Sequence, residues 1–94
     1  MEEGINRLKE LLQGNPEADN ERDRIGFLKA QELSVERFAR LIGVTRTSVY
    51  FYLNDRSRPT LDTLVKICEV VGISLAEGKT YITPRPNGGQ FKSS

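Results

Sequence analysis

The sequence contains no histidine, no tryptophan and a single cysteine, Cys68. Without histidine, one thiol cannot build a zinc site of the usual nitrogen and sulfur ligands. A lone cysteine also excludes an internal disulfide and fits a reducing, cytoplasmic setting. Nowhere does an apolar run approach the roughly 20 residues of a transmembrane helix, and the opening residues do not read as a signal peptide. No glycine-rich phosphate loop is present, since Asn87–Phe91 (NGGQF) lacks both the lysine and the helix that such a loop requires. These absences exclude most enzyme classes. They leave the expectation of a non-catalytic protein with no cofactor, no bound metal and no membrane.

What remains is a small, soluble-looking chain of 94 residues, 29% of them charged, long enough for one modest core. The overall charge of +1 hides an asymmetry. Residues 1–23 carry seven acids and three bases, a net of −4, and residues 24–94 carry eleven bases and six acids, a net of +5. A basic main body suits nucleic acid, although solvated surface charge explains the numbers about as well.

Residues 2–13 (EEGINRLKELLQ) read as an amphipathic helix with Ile5, Leu8 and Leu12 on one stripe and Leu11 beside it. So short a helix needs something to dock on. Its own domain and a dimer seam are the two choices. Gly14, Asn15 and Pro16 end it, and a second helix is expected over about residues 20–31, burying Ile25, Phe27 and Leu28.

One punctuation mark then recurs: Ser34 in LSVERF, Thr45 in VTRTSV and Thr60 in PTLDTL. Each hydroxyl can cap a helix, and at the first two the preceding apolar residue can staple against the fourth helical position. Helices are therefore expected to start near residues 35, 46 and 61. A fourth start at Ser74 in SLAE is cut short by Gly78. The last of these long helices carries a stripe of Leu61, Leu64, Val65, Cys68 and Val71, which makes Cys68 a small buried residue rather than a reactive thiol. In the tail, Lys79–Thr83 reads as extended and the remainder as disordered. Arg85, between two prolines, could belong to a minor-groove arm, with disorder the plainer reading.

Ser34 and Thr45 are only 11 residues apart, so the first helix has about two turns and the bend after it is tight. Ala39 lets the two helices approach, Gly43 suits a left-handed turn, and Phe38, Ile42, Val44, Val49 and Tyr52 can meet across the bend. That is the construction of a helix-turn-helix. On these residues, the stretch 33–77 resembles the lambda-repressor-like (Cro/cI, XRE) helix-turn-helix domains. The resemblance implies an all-α fold: a compact four- to five-helix bundle, here with an extra N-terminal helix and a flexible or extended C-terminal tail. It divides the chain into an N-terminal helix and linker (1–19), the DNA-binding domain (20–78) and a tail (79–94), with residues 46–53 as the recognition helix. The pattern departs from the family at Val35, where a phosphate-contacting glutamine is usual, and at Glu32 and Asp55, where glycines are usual.

Independently of the family, the helices starting at 35 and 61 place Glu36 and Asp62 at their positive ends, whereas the helix starting at 46 opens with Arg46. A cation there suits an anion waiting at the tip. If Val49 faces the core, Tyr52 and Leu53 follow it, and Tyr50 and Phe51 must face outward. Arg46, Thr47, Tyr50 and Phe51 are accordingly expected to meet base edges, Arg46 at guanine and Phe51 at thymine methyl groups. Ser34, Thr45, Ser48, Arg56 and Arg58 are expected at phosphates, with Arg37 and Arg40 on a solvated face. The expected function is a sequence-specific, double-stranded DNA-binding transcriptional regulator, a repressor acting as a cytoplasmic homodimer on a near-palindromic operator. The alternative is a protein-interaction module or antitoxin-type partner of a toxin that uses the same scaffold.

Overall fold

Five hydroxyl or amide caps decide where the chain turns into helix. In the computed structural model, which describes residues 5–85, Asn20, Ser34, Thr45 and Ser74 each accept from the amide three residues on, at 2.8–3.1 Å, and Thr60 does so at 3.4 Å. They open α2 (Glu21–Ala30), α3 (Val35–Ile42), α4 (Arg46–Leu53), α6 (Leu75–Gly78) and α5 (Leu61–Val71) respectively. The chain begins with α1 (Leu8–Gln13). Among the described residues there are no strands, only two isolated bridges, so the all-helical class holds.

The core forms where the helix stripes meet. Phe38, Ala39 and Ile42 of α3, Val49, Tyr52 and Leu53 of α4, and Leu64, Ile67, Cys68 and Val71 of α5 are buried together. Phe27 of α2 meets Phe38 edge-on, with ring centroids 6.3 Å apart. Ile67 was not on the expected stripe yet is fully buried, whereas Leu61, at the first position of α5, is exposed. Gly78 of α6 sits against the Cys68 sulfur. Burial, reinforced by the Glu77 carboxylate, pushes the Cys68 thiol above its ordinary value, as expected for an inert packing residue.

Three expectations need correction. The N-terminal helix does not span residues 2–13: it starts at Leu8, and Ile5–Arg7 precede it outside the helix. Their backbone is committed elsewhere. The Ile5 amide donates to Thr83 Oγ1 at 2.9 Å, the Thr83 amide to the Ile5 carbonyl at 2.8 Å, and the Arg7 amide to the Tyr81 carbonyl. Ile5 consequently leaves the stripe and is 45% exposed, while Leu8 and Leu12 are buried against α2 and α4 within the same molecule. The tail is also less idle than its composition suggests. Ile82 is fully buried, and Arg85 bridges to Thr60 through its amide and the Pro59 carbonyl. The disorder expected after that point concerns residues 86–94, which lie outside the described residues.

The third correction is a break in α2. Gly26 has φ +85° and ψ 163°, splitting the helix between Ile25 and Phe27. There the α2 backbone crosses the end of α1 at Gly14, which also has positive φ. A Cβ on Gly26 would overlap the Gly14 nitrogen and the Leu12 carbonyl, and one on Gly14 would overlap the Arg24 carbonyl. Two bare backbones are needed for this crossing. Ile25 and Phe27, on either side of the break, are only half-buried.

Glu32 and Asp55 occupy left-handed conformations, φ 55° and 59°, where the family pattern prefers glycine. Each follows a helix closed by a paired motif: Leu33 and Glu32 amides donate to Leu28 and Lys29 carbonyls, and Arg56 and Asp55 amides to Phe51 and Tyr52 carbonyls. A non-glycine residue there costs about 1–2 kcal/mol, partly offset by its lower unfolded-state entropy. Glu32→Gly is therefore expected to raise stability by up to about 1 kcal/mol in urea unfolding. Gly26→Ala, with both steric overlap and positive φ against it, is expected to destabilise by more than about 2 kcal/mol in the same assay.

Candidate nucleic-acid interface

α4 is eight residues long and carries no acidic residue in its first turn. Its buried side is fixed by Val49, which has 0% exposure, with Tyr52 and Leu53 following at the next turn. At about 100° per residue, Tyr50 and Phe51 must then point away from the core. They do, at 43% and 44% exposure. Arg46 and Thr47 are exposed at the helix tip, and Ser48 is half-buried. The tip has two kinds of donor to offer. Thr45 Oγ1 accepts from the Ser48 amide at 3.1 Å and donates its own proton to Ser48 Oγ at 3.0 Å, which leaves the Ser48 hydroxyl proton as the outward donor. The amides of Arg46 and Thr47 come too early in the helix to find an intrahelical acceptor.

Ser34 performs the same duty on α3, accepting from the Arg37 amide at 3.1 Å. Glu36, beside it, pairs with Arg40 at 3.7 Å on a highly exposed surface, and such a pair contributes little stability. Arg37 is exposed. Both arginines thus lie on a solvated face, in line with the sequence.

After α4 the structure joins two residues that the sequence kept apart in role. The Arg56 guanidinium lies over the Phe51 ring, 5.7 Å from its centroid. An exposed ring and a cation therefore form one surface beside the recognition helix. Arg58 behaves differently. Its side chain is half-buried, and its Nη1 atom is shut off from solvent without a hydrogen-bond partner among the described residues. An unpaired buried donor of this kind is costly to the fold.

Asn6, a neighbour of this face, escaped the sequence reading, and Arg85, considered there for a minor-groove arm, makes a contact the sequence did not announce. Asn6 donates from Nδ2 to the Tyr52 carbonyl at 3.1 Å and to Asp55 Oδ1 at 2.8 Å, at the C-terminal end of α4. Arg85 is held beside the loop by its bridge to Thr60; burial pushes the Tyr52 phenol above its ordinary value, and the Arg85 charge offsets part of that rise. No local pattern announces either contact, since each partner lies far away in sequence.

A family model described as helix-turn-helix matches residues 27–78, which is 52 of the 94 residues. The chain belongs to the XRE-type, Cro/cI-like helix-turn-helix family. Comparison with curated proteins and with solved structures found no match. XRE-family membership makes the chain a DNA-binding regulator, with α3 and α4 as the helix-turn-helix pair. It also divides the molecule: α1, the first part of α2 and the paired segments at residues 5–7 and 81–83 lie outside the XRE match. No described helix is long and apolar enough to cross a membrane.

The orphaned donor makes a prediction about the free protein. Arg58→Met keeps much of the aliphatic stem and removes the unpaired nitrogen, so stability is expected to rise by about 1 kcal/mol in urea unfolding. A fall of similar size would show that the guanidinium has an internal acceptor in solution.

Proposed function

We propose that this XRE-family regulator is a sequence-specific repressor that binds a near-palindromic operator as a homodimer. The observation that carries the reading is the outer face of α4: exposed Arg46, Thr47, Tyr50 and Phe51 on a helix whose first turn holds no acid and whose other face is locked in the core. Placed in a major groove, Arg46 pairs bidentately with guanine, Thr47 donates or accepts at a neighbouring base edge, and Phe51 packs on thymine methyl groups. Tyr50 reaches across with its hydroxyl.

Positioning falls to the phosphate contacts. The amide-rich helix tips behind Ser34 and Thr45, the Ser48 hydroxyl, and Arg56 and Arg58 in the following loop supply these. In a homodimer two such helices enter successive major grooves about one helical turn apart, which makes the site an inverted repeat. Occupying a promoter is enough to block transcription, so beyond this face repression requires only a contact that joins the two protomers.

Selection from a random duplex library tests the reading directly. The wild-type protein is expected to enrich an inverted repeat, and Arg46→Ala to lose discrimination at one base pair of each half-site by about 1–3 kcal/mol. On that duplex, Arg58→Met is expected to lower the slope of log affinity against log salt by about 1 per protomer. If a folded wild-type protein enriches nothing at low salt, the assignment fails. Exposed Tyr50 and Phe51 would then be the contact surface of a protein-interaction module, such as an antitoxin-type partner, whose affinity is insensitive to salt.

A further inference from the structure

We propose that Asn6 is a positioning residue for the DNA-reading helix, acting from outside the family-matched segment. The inference rests on the assignment of α4 as the helix that reads DNA.

Every polar atom of the Asn6 side chain is engaged. Nδ2 donates to the Tyr52 carbonyl at 3.1 Å and to Asp55 Oδ1 at 2.8 Å, while Oδ1 accepts from the Leu8 amide at 3.3 Å. The reverse orientation of the amide would set an oxygen against a carbonyl and a carboxylate, so the assignment is unambiguous. One side chain thereby closes the start of α1 and the end of α4, across 46 residues of sequence. Its backbone is held from the other side, because Asn6 forms the antiparallel bridge with Ile82, which is fully buried.

The place at which Asn6 grips α4 matters. Tyr52 and Asp55 belong to the closing motif that also engages the Phe51 carbonyl through the Arg56 amide. Phe51 and Arg56 are the ring and cation stacked on the outer face. Asp55 itself sits at φ 59°, a conformation that a side-chain tether helps to hold. A helix of eight residues is about 12 Å long, so a tilt of about 5° at one end moves the other by about 1 Å. That is enough to spoil a bidentate hydrogen bond. Residues 27–78 alone contain no counterpart of this tether; it is supplied by the paired segments.

The test compares the wild type with Asn6→Asp, Asn6→Asp/Asp55→Asn and Thr83→Ala in the full chain. Asn6→Asp keeps the shape but sets a carboxylate against a carbonyl and a second carboxylate. The double variant restores one donor between positions 6 and 55. Thr83→Ala removes the acceptor for the Ile5 amide and leaves the contacts to α4 in place. Two quantities are read: the affinity ratio between the selected duplex and a scrambled one, at temperatures where each variant is folded, and amide hydrogen exchange at Asn54, Asp55 and Arg56. Asn6→Asp is expected to lower the affinity ratio at least tenfold and to speed exchange at those three amides at least tenfold. The double variant is expected to recover part of both, and Thr83→Ala to lower thermal stability while keeping the affinity ratio. An unchanged ratio with unchanged exchange in Asn6→Asp overturns the proposal, as does an equal loss of ratio in Thr83→Ala. If the wild type selects no duplex, the DNA assignment has failed, and exchange at the end of α4 alone decides whether Asn6 holds that helix.

Discussion

Val49 has no accessible surface, and the helix that carries it has only eight residues. Burying that one side chain, with Tyr52 and Leu53 one turn on, fixes the rotation of α4 about its axis. Everything the helix shows to a partner follows from that rotation. Tyr50 and Phe51 are outside because they stand next to Val49 and Tyr52 in the chain, not because their own chemistry places them there. The left-handed turn at Gly43 sets the direction from which α4 arrives. Its amide donates to the Arg40 carbonyl while the Val44 amide donates to that of Ala39, leaving Thr45 placed to cap the next helix.

Around this pair the remaining structure is a brace. α5 closes the core beneath α3, and α1 packs on both α2 and α4. The bare crossing of Gly14 over Gly26 allows α1 to lie close to α2, and the kink at Gly26 carries Phe27 toward Phe38. Two segments distant in sequence then complete the brace by pairing with each other. Ile5–Arg7 and Tyr81–Thr83 satisfy one another's backbone groups, and the buried Ile82 anchors the pair in the common core.

The functional surface combines satisfied and unsatisfied groups. The caps of α3 and α4 use their side-chain oxygens internally, so what they offer outward is backbone amide and, at Ser48, one hydroxyl proton. Arg56 is stacked on Phe51 and Arg58 keeps one nitrogen without an acceptor. The stacked pair puts an exposed apolar ring and a cation side by side at the end of α4.

Much of this was legible in the sequence because its determinants are local. A cap acts over three residues and a helix face over three or four, so Ser34, Thr45, Thr60 and Ser74, the turn at Gly43, and the sorting of Val49 and Tyr52 from Tyr50 and Phe51 could be read directly. The helix-turn-helix followed from that spacing, and the family from the resemblance of residues 33–77. The misreadings share one cause. Ile5 is apolar at helical spacing from Leu8, yet its backbone pairs with Thr83, 78 residues away, and a long-range partner overrides a weak local propensity. The crossing at Gly14 and Gly26, the burial of Ile82 and the reach of Asn6 to Tyr52 likewise depend on which segments meet in space. The sequence alone determined the helices and the face that α4 shows. Tertiary structure decided how the paired segments hold that helix, because hydrogen bonds between distant segments leave no periodic trace in the sequence.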